Sequence, residues 1–158
     1  MNRLLPFIVI IALLMPIVLK AQLKSYTFED IDSLQKTEPK PILIFIYTDW
    51  CNHCKHLQYT SLKNKAVSEI LHQYFYFLPF NAEEKRDIAF AGTKFSFQPT
   101  GIQTGIHELA IKLGVINGVL SFPTLVLLDK AYKPVWRYSG YLNAKELKTV
   151  LNQFSAKQ

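Results

Sequence analysis

Cysteine is nearly absent from this chain: two residues among 158, Cys51 and Cys54, with no second pair anywhere. A relay of electrons between two internal dithiols is therefore excluded. A lipid-attachment cysteine near the N-terminus is also lacking. Lys and Arg outnumber Asp and Glu by 18 to 12, yet no basic run occurs, and nothing supports nucleic-acid binding. A solvated basic surface is the plain reading of that excess, with a preference for acidic partner surfaces as the functional one. Internal repeats, low-complexity tracts and Gly/Ser linkers are missing as well. Past the first twenty residues no apolar run approaches the ~18 residues that argue for a membrane span.

The first twenty residues are of another kind. Met1-Asn2-Arg3 leads into an apolar run from Leu4 to Leu19, followed by Lys20-Ala21-Gln22. A basic start, a short apolar core and a small residue at the cut describe a secretory signal peptide. Pro16 should break the core helix ahead of a cut after Ala21, with Leu19 larger than ideal three positions before it. Residues 1–21 are thus read as a leader and 22–158 as the mature domain, exported and periplasmic; an uncleaved N-terminal anchor is the alternative. Cleavage leaves 137 residues and, without Arg3 and Lys20, a net charge of about +4. That length suits one domain with a real core.

The stretch "PILIFIYTDW" (41–50) is continuously apolar, β-branched and aromatic, which predicts a strand buried on both faces. A helix is predicted over 64–75, capped by Asn64, and a second strand over 75–81 with an end or irregularity at Pro79. "DIAFAGTKFSFQP" alternates about Ala91-Gly92 and reads as a small hairpin within an inserted segment of about 82–106. Its Phe90, Phe95 and Phe97 are expected to pack inward, the alternative being a hydrophobic lip. A short helix over 105–115, strands over 122–129 and 134–142, and a closing helix over 143–154 capped by Asn143 complete the pattern. Strands alternating with helices predict an α/β domain with a central mixed sheet flanked by helices.

"DWCNHCKH" carries the chemistry. A disulfide between positions 51 and 54 closes a tiny loop and would stabilise the fold little, so structure alone is a poor reason for it. At the first turn of a helix following a buried strand, Cys51 would face unpaired N–H groups that stabilise its thiolate, the reactive form. Cys54, one turn on, would attack a mixed disulfide and release the partner. His53 between them could further stabilise the thiolate and so raise the oxidising power of the disulfide; an inert exposed histidine is the plain alternative. His56 is expected to face solvent, and His72 and His107 to be surface or capping residues. Copper or zinc could use Cys51, Cys54 and one of His53 or His56, but no further ligand cluster completes such a site. Covalent haem attachment needs histidine where Lys55 stands.

With "FIYTDWCNHCK" after a buried strand, "LAIKLGV", "FPT" opening a later strand and "YSGY" before a final helix, residues 26–154 resemble the thioredoxin superfamily. "YTDWC" looks most like exported thiol:disulfide interchange proteins, including the periplasmic C-terminal domain of DsbD-type electron transporters. The resemblance implies a thioredoxin-like fold, Cys51 as nucleophile, Cys54 as resolver, and Pro123 as a cis-proline beside which the backbone of Phe122 docks a substrate strand. It also implies that Trp50 packs beside the site, ordinary packing being the alternative, and Trp50, Asn52 and His53 are expected to tune its potential, Asn52-His53 standing where cytosolic thioredoxins have Gly-Pro. No cofactor beyond the Cys51–Cys54 disulfide is expected. Exported cysteine-containing client proteins, and a membrane thiol electron transporter as reductant, are the expected partners of a monomer. Reduction of clients is the expected direction, with disulfide oxidation or isomerisation as the alternative; a metal-binding protein and a non-catalytic binding module are the readings of another class. Two positions depart from the family. Phe45 stands where thioredoxin has a buried acid, and Gln58 where interchange domains can carry one, leaving Asp49, Glu108 or water to take the proton from Cys54.

Overall fold

A computed structural model describes residues 23–155, and the leader assigned to residues 1–21 lies outside them. Strand β1 (Ile42–Tyr47) is central. It pairs in parallel with β2 (Tyr76–Asn81) and antiparallel with β7 (Thr124–Leu128), which pairs antiparallel with β8 (Pro134–Ser139). The sheet order is β2-β1-β7-β8. The unbroken apolar run of β1 follows from its place in this sheet. Ile42, Ile44 and Ile46 face one core with Val126 and Leu128, while Leu43 and Phe45 face another with Leu125 and Leu127.

Helices α1 (Phe28–Thr37) and α4 (Glu108–Gly114) cover the first face through Phe28, Ile31, Leu109 and Leu113. Helices α2 (Asn52–Leu57), α3 (Lys65–Tyr74) and α5 (Ala144–Ser155) cover the second, through Leu57, Val67, Leu71, Leu147 and Leu151. A fully buried side chain of this size contributes roughly 1.5–3 kcal/mol. Helix α1 is an element beyond those the apolar pattern predicts, and its signal is a capping box: the Thr27 hydroxyl accepts from the Asp30 N–H, and the Asp30 carboxylate accepts from the Thr27 N–H at 2.9 Å. Asn64 caps α3 by accepting from the N–H groups of Ala66 and Val67, and Asn143 exchanges hydrogen bonds with Glu146 at the start of α5.

Pro79 neither ends nor breaks β2. It pairs in register with Phe45 on an edge strand, where a missing N–H costs no ladder bond. The segment between β2 and α4 holds two hairpins rather than one. β3 (Ile88–Phe90) and β4 (Thr93–Phe95) turn at Ala91-Gly92, both with positive φ, and bury Phe90 and Phe95 in the first core. β5 (Phe97–Pro99) pairs with β6 (Gly105–His107), so residues 105–107, expected to be helical, are extended; Phe97 is only half-buried. Among the described residues no helix is long and apolar enough to cross a membrane.

The far end of the sheet is tied to α1 by the Tyr132 hydroxyl, which donates to the Asp32 carboxylate at 2.9 Å. Burial, then the bond to Asp32 and its charge, hold this phenol up at about 12, against an ordinary value of 10.0. The folded state thus favours the neutral phenol. Its contribution is fully present below pH 10 and is lost between pH 10 and about 12, as unfolded chains ionise first. Tyr132→Phe is accordingly expected to flatten the alkaline limb of a stability–pH curve in that window, as followed by chemical denaturation.

Candidate active site

At the end of β1 the chain makes a short turn, Thr48-Asp49-Trp50, and Cys51 donates its N–H back to the Thr48 carbonyl at 3.2 Å. Cys51 is itself the N-cap of α2, in extended conformation, and its Sγ accepts the Cys54 N–H at 3.1 Å. A free first-turn donor is thereby aimed at the sulfur, and such a bond strengthens when the acceptor is charged. Cys51 and Cys54 form a disulfide, with Cα atoms 5.2 Å apart. Both are buried, at 5% and 2% exposure. α2 runs on without a break into a π-helical turn, Gln58–Leu62, which the sequence did not announce.

Trp50, by contrast, is 65% exposed. Two contacts fix it. Its indole N–H donates to Glu83 Oε1 at 3.1 Å, and its ring stands edge-on to Phe122 with centroids 6.1 Å apart. The Phe122–Pro123 peptide bond is cis. The Pro123 carbonyl accepts the Gly140 N–H at 2.8 Å, and the Thr124 hydroxyl donates to the Ser121 carbonyl at 2.6 Å, so the loop is braced from the β8 side. Trp50, next to the first cysteine, and Phe122, next to the cis-proline, are thus in direct contact across the site.

His53 and Asn52 are exposed, and among the described residues His53 makes no hydrogen bond or ring contact. His56, expected simply to face solvent, is exposed but packs its ring on Tyr141, centroids 4.7 Å apart. Thr60 adds a hydroxyl contact to Tyr141 at 3.2 Å. His72 lies on the surface, whereas His107 is fully buried and caps α4. Among the described residues no three His, Cys, Asp or Glu side chains gather as a metal site.

Of the two carboxylates named for the absent acid's task, Glu108 and Asp49, both hold other partners. Phe45 is buried and stacks on Tyr47, and Gln58 is exposed at the start of the π-helical turn. Glu108 is committed elsewhere: its two oxygens accept from the Ser96 N–H and the Gln98 side chain. Asp49 sits at the exposed rim, accepting from the Asn81 amide at 3.0 Å. Asn81 and Glu83 are the residues that sequence reasoning missed. Asn81 ends β2 and Glu83 follows it, and nothing in "FNAEEK" signals that they hold Asp49 and Trp50 across a separation of more than thirty positions.

A dithiol pair that opens a helix after a buried strand, beside a cis-proline loop on a mixed sheet, is the arrangement of thiol–disulfide oxidoreductases of the thioredoxin fold. The family model of the thioredoxin-like domain matches residues 27–155, and the chain belongs to that family. It is 26% identical over 128 residues to the thiol:disulfide interchange protein DsbD of Pectobacterium atrosepticum, a match covering 80% of this chain but only 18% of that relative. The chain therefore spans about a fifth of the curated relative's length. In structure it is similar to DsbH oxidoreductase, with a TM-score of 0.58 at 19% identity, covering 89% of this chain and 92% of that one. It also resembles the reduced C-terminal domain of DsbD from Neisseria meningitidis, with a TM-score of 0.52 at 16% identity over 80% and 91% of the two chains. Likenesses at such identities establish the fold.

Proposed function

We propose that this protein is an exported thiol–disulfide oxidoreductase that reduces disulfides of client proteins. The observation that carries the reading is the Cys51 sulfur, which caps α2 and accepts the Cys54 N–H at 3.1 Å while paired with Cys54. In the dithiol form, the Cys51 thiolate attacks one sulfur of a client disulfide, and the other client sulfur leaves as a thiolate. Cys54 then loses its proton to water and attacks Cys51 Sγ. The client's second thiolate departs, and the Cys51–Cys54 disulfide remains. Two electrons pass to the client, and a thiol electron transporter in the membrane restores the dithiol. Phe122 and Pro123 receive the client backbone beside the cysteines, and Trp50 covers its flank. Residues 1–21 serve as the export leader, and 22–158 act as a monomeric domain.

A second reading, a disulfide oxidant or isomerase, rests on His53, whose exposed imidazole lies between the cysteines and would favour the thiolate when charged. Equilibration of the full mature chain against glutathione buffers separates the two. A reduction potential near about −270 mV is expected for a reductant, whereas about −120 to −180 mV would assign an oxidant or isomerase. The absence of any two-electron transition would overturn both.

A further inference from the structure

One ridge of helix leads away from the reacting sulfur. Cys51, Lys55, Tyr59 and Lys63 recur every four residues from the N-cap of α2 to the residue that ends the π-helical turn, and side chains four apart are neighbours along a helix. The Lys63 ammonium sits 4.3 Å from the centre of the Tyr59 ring, which places the last two side by side. Tyr59 is 61% exposed, and Lys55 and Lys63 are exposed too. Among the described residues neither lysine forms an ion pair. From Trp50 to Ser68 the sequence has no Asp or Glu. Asp49, just before Trp50, accepts from the Asn81 amide.

We propose that the Lys55–Tyr59–Lys63 ridge is a docking track for an acidic segment of the partner protein, lying next to the partner's reactive cysteine. This deepens the exchange reading above and rests on it for the position of that cysteine. The α-helical rise sets an upper bound of roughly 18 Å along the axis between Cys51 and Lys63, the π-helical turn being more compact. An extended chain covers that span in about five to six residues. The partner's acidic residues should therefore fall within about six positions of the cysteine that Cys51 attacks. Two cations separated by an exposed aromatic ring suit a short extended stretch carrying spaced carboxylates, and steering of this kind acts mainly on the association rate.

The test uses two short peptides, each with one cysteine held as a mixed disulfide with glutathione. One carries Asp and Glu within six positions of the cysteine; the other carries Asn and Gln there. The quantity read is the ratio of second-order rate constants for oxidation of the reduced mature chain. The acidic peptide is expected to react about three- to tenfold faster at low salt, an effect suited to two screened surface charges. The ratio should fall to about one in the Lys55→Gln/Lys63→Gln variant and in wild type at high salt. Using a ratio cancels any effect of Lys55 on the Cys51 thiolate itself. Equal rates on both peptides, or a preference that survives the double substitution, would overturn the docking track. If neither peptide is reduced, the exchange reading fails instead, and fluorescence anisotropy with serine analogues then decides the track alone: salt-sensitive binding of the acidic analogue, lost in the double variant, supports it. Binding of a single-stranded oligonucleotide without binding of the acidic analogue would overturn it.

Discussion

Cys54→Ser is expected to stop the protein at a covalent complex, and Cys51→Ser to leave it without exchange activity. With serine at position 54, the Cys51 thiolate can still attack a partner disulfide, and its sulfur still accepts an N–H from the first turn of α2. Nothing then attacks Cys51 Sγ from within, so the mixed disulfide persists until an outside thiol resolves it. With serine at position 51 the attacking group is a hydroxyl that stays protonated at neutral pH. Cys54, also buried, does not hold the N-cap position that stabilises the Cys51 thiolate, and so does not replace it. Non-reducing electrophoresis and intact mass after incubation with a disulfide-containing protein read both outcomes. A thiol-sensitive adduct should accumulate with Cys54→Ser and be absent with Cys51→Ser. Adducts in the reverse pattern would exchange the two roles, and none in either would remove the dithiol from the mechanism.

The second large effect is expected far from the sulfurs. His107→Ala should destabilise the fold by about 3–5 kcal/mol, a large share of a typical domain's stability. The ring is fully buried. Its Nδ1 accepts the Leu109 N–H at 3.2 Å, which leaves Nε2 to carry the proton and donate to the Arg86 carbonyl at 3.1 Å. Alanine removes a helix cap worth about 1 kcal/mol, strips a donor from a carbonyl at a cost of about 1–3 kcal/mol, and opens a cavity beside Phe80. His107→Asn keeps a capping oxygen and should recover part of the loss. Denaturant midpoints check both, and a change below about 1 kcal/mol for alanine would show that the cap is replaceable. The effect reaches the site. The His107 backbone N–H donates to the Ala82 carbonyl, between Asn81 and Glu83, which hold Asp49 and Trp50.

Sequence alone determined the dithiol, its place at a strand-to-helix junction and the family, because these depend on short-range order. A run of apolar residues, two cysteines three positions apart and a helix start are written in consecutive letters. Local signals were also enough for the caps at Asn64 and Asn143 and for the Ala91-Gly92 turn, where side chain and backbone of near neighbours meet. The Thr27–Asp30 capping box of α1 is equally local, but the helix it opens carries a weaker apolar pattern than its neighbours.

Only the tertiary structure decided the rest. Residues 105–107 are extended rather than helical because they pair with β5, and a strand of three residues has no periodicity to read. Pro79 is harmless because β2 is an edge, a property of sheet order rather than of β2's own residues. Glu108 is turned to the Ser96–Gln98 segment, where both of its oxygens accept hydrogen bonds, a placement set by the β5–β6 pairing. Glu83 and Asn81 reach Trp50 and Asp49 across more than thirty residues. Contacts of that kind depend on how β2 lies beside β1, and no local pattern of residue types encodes them.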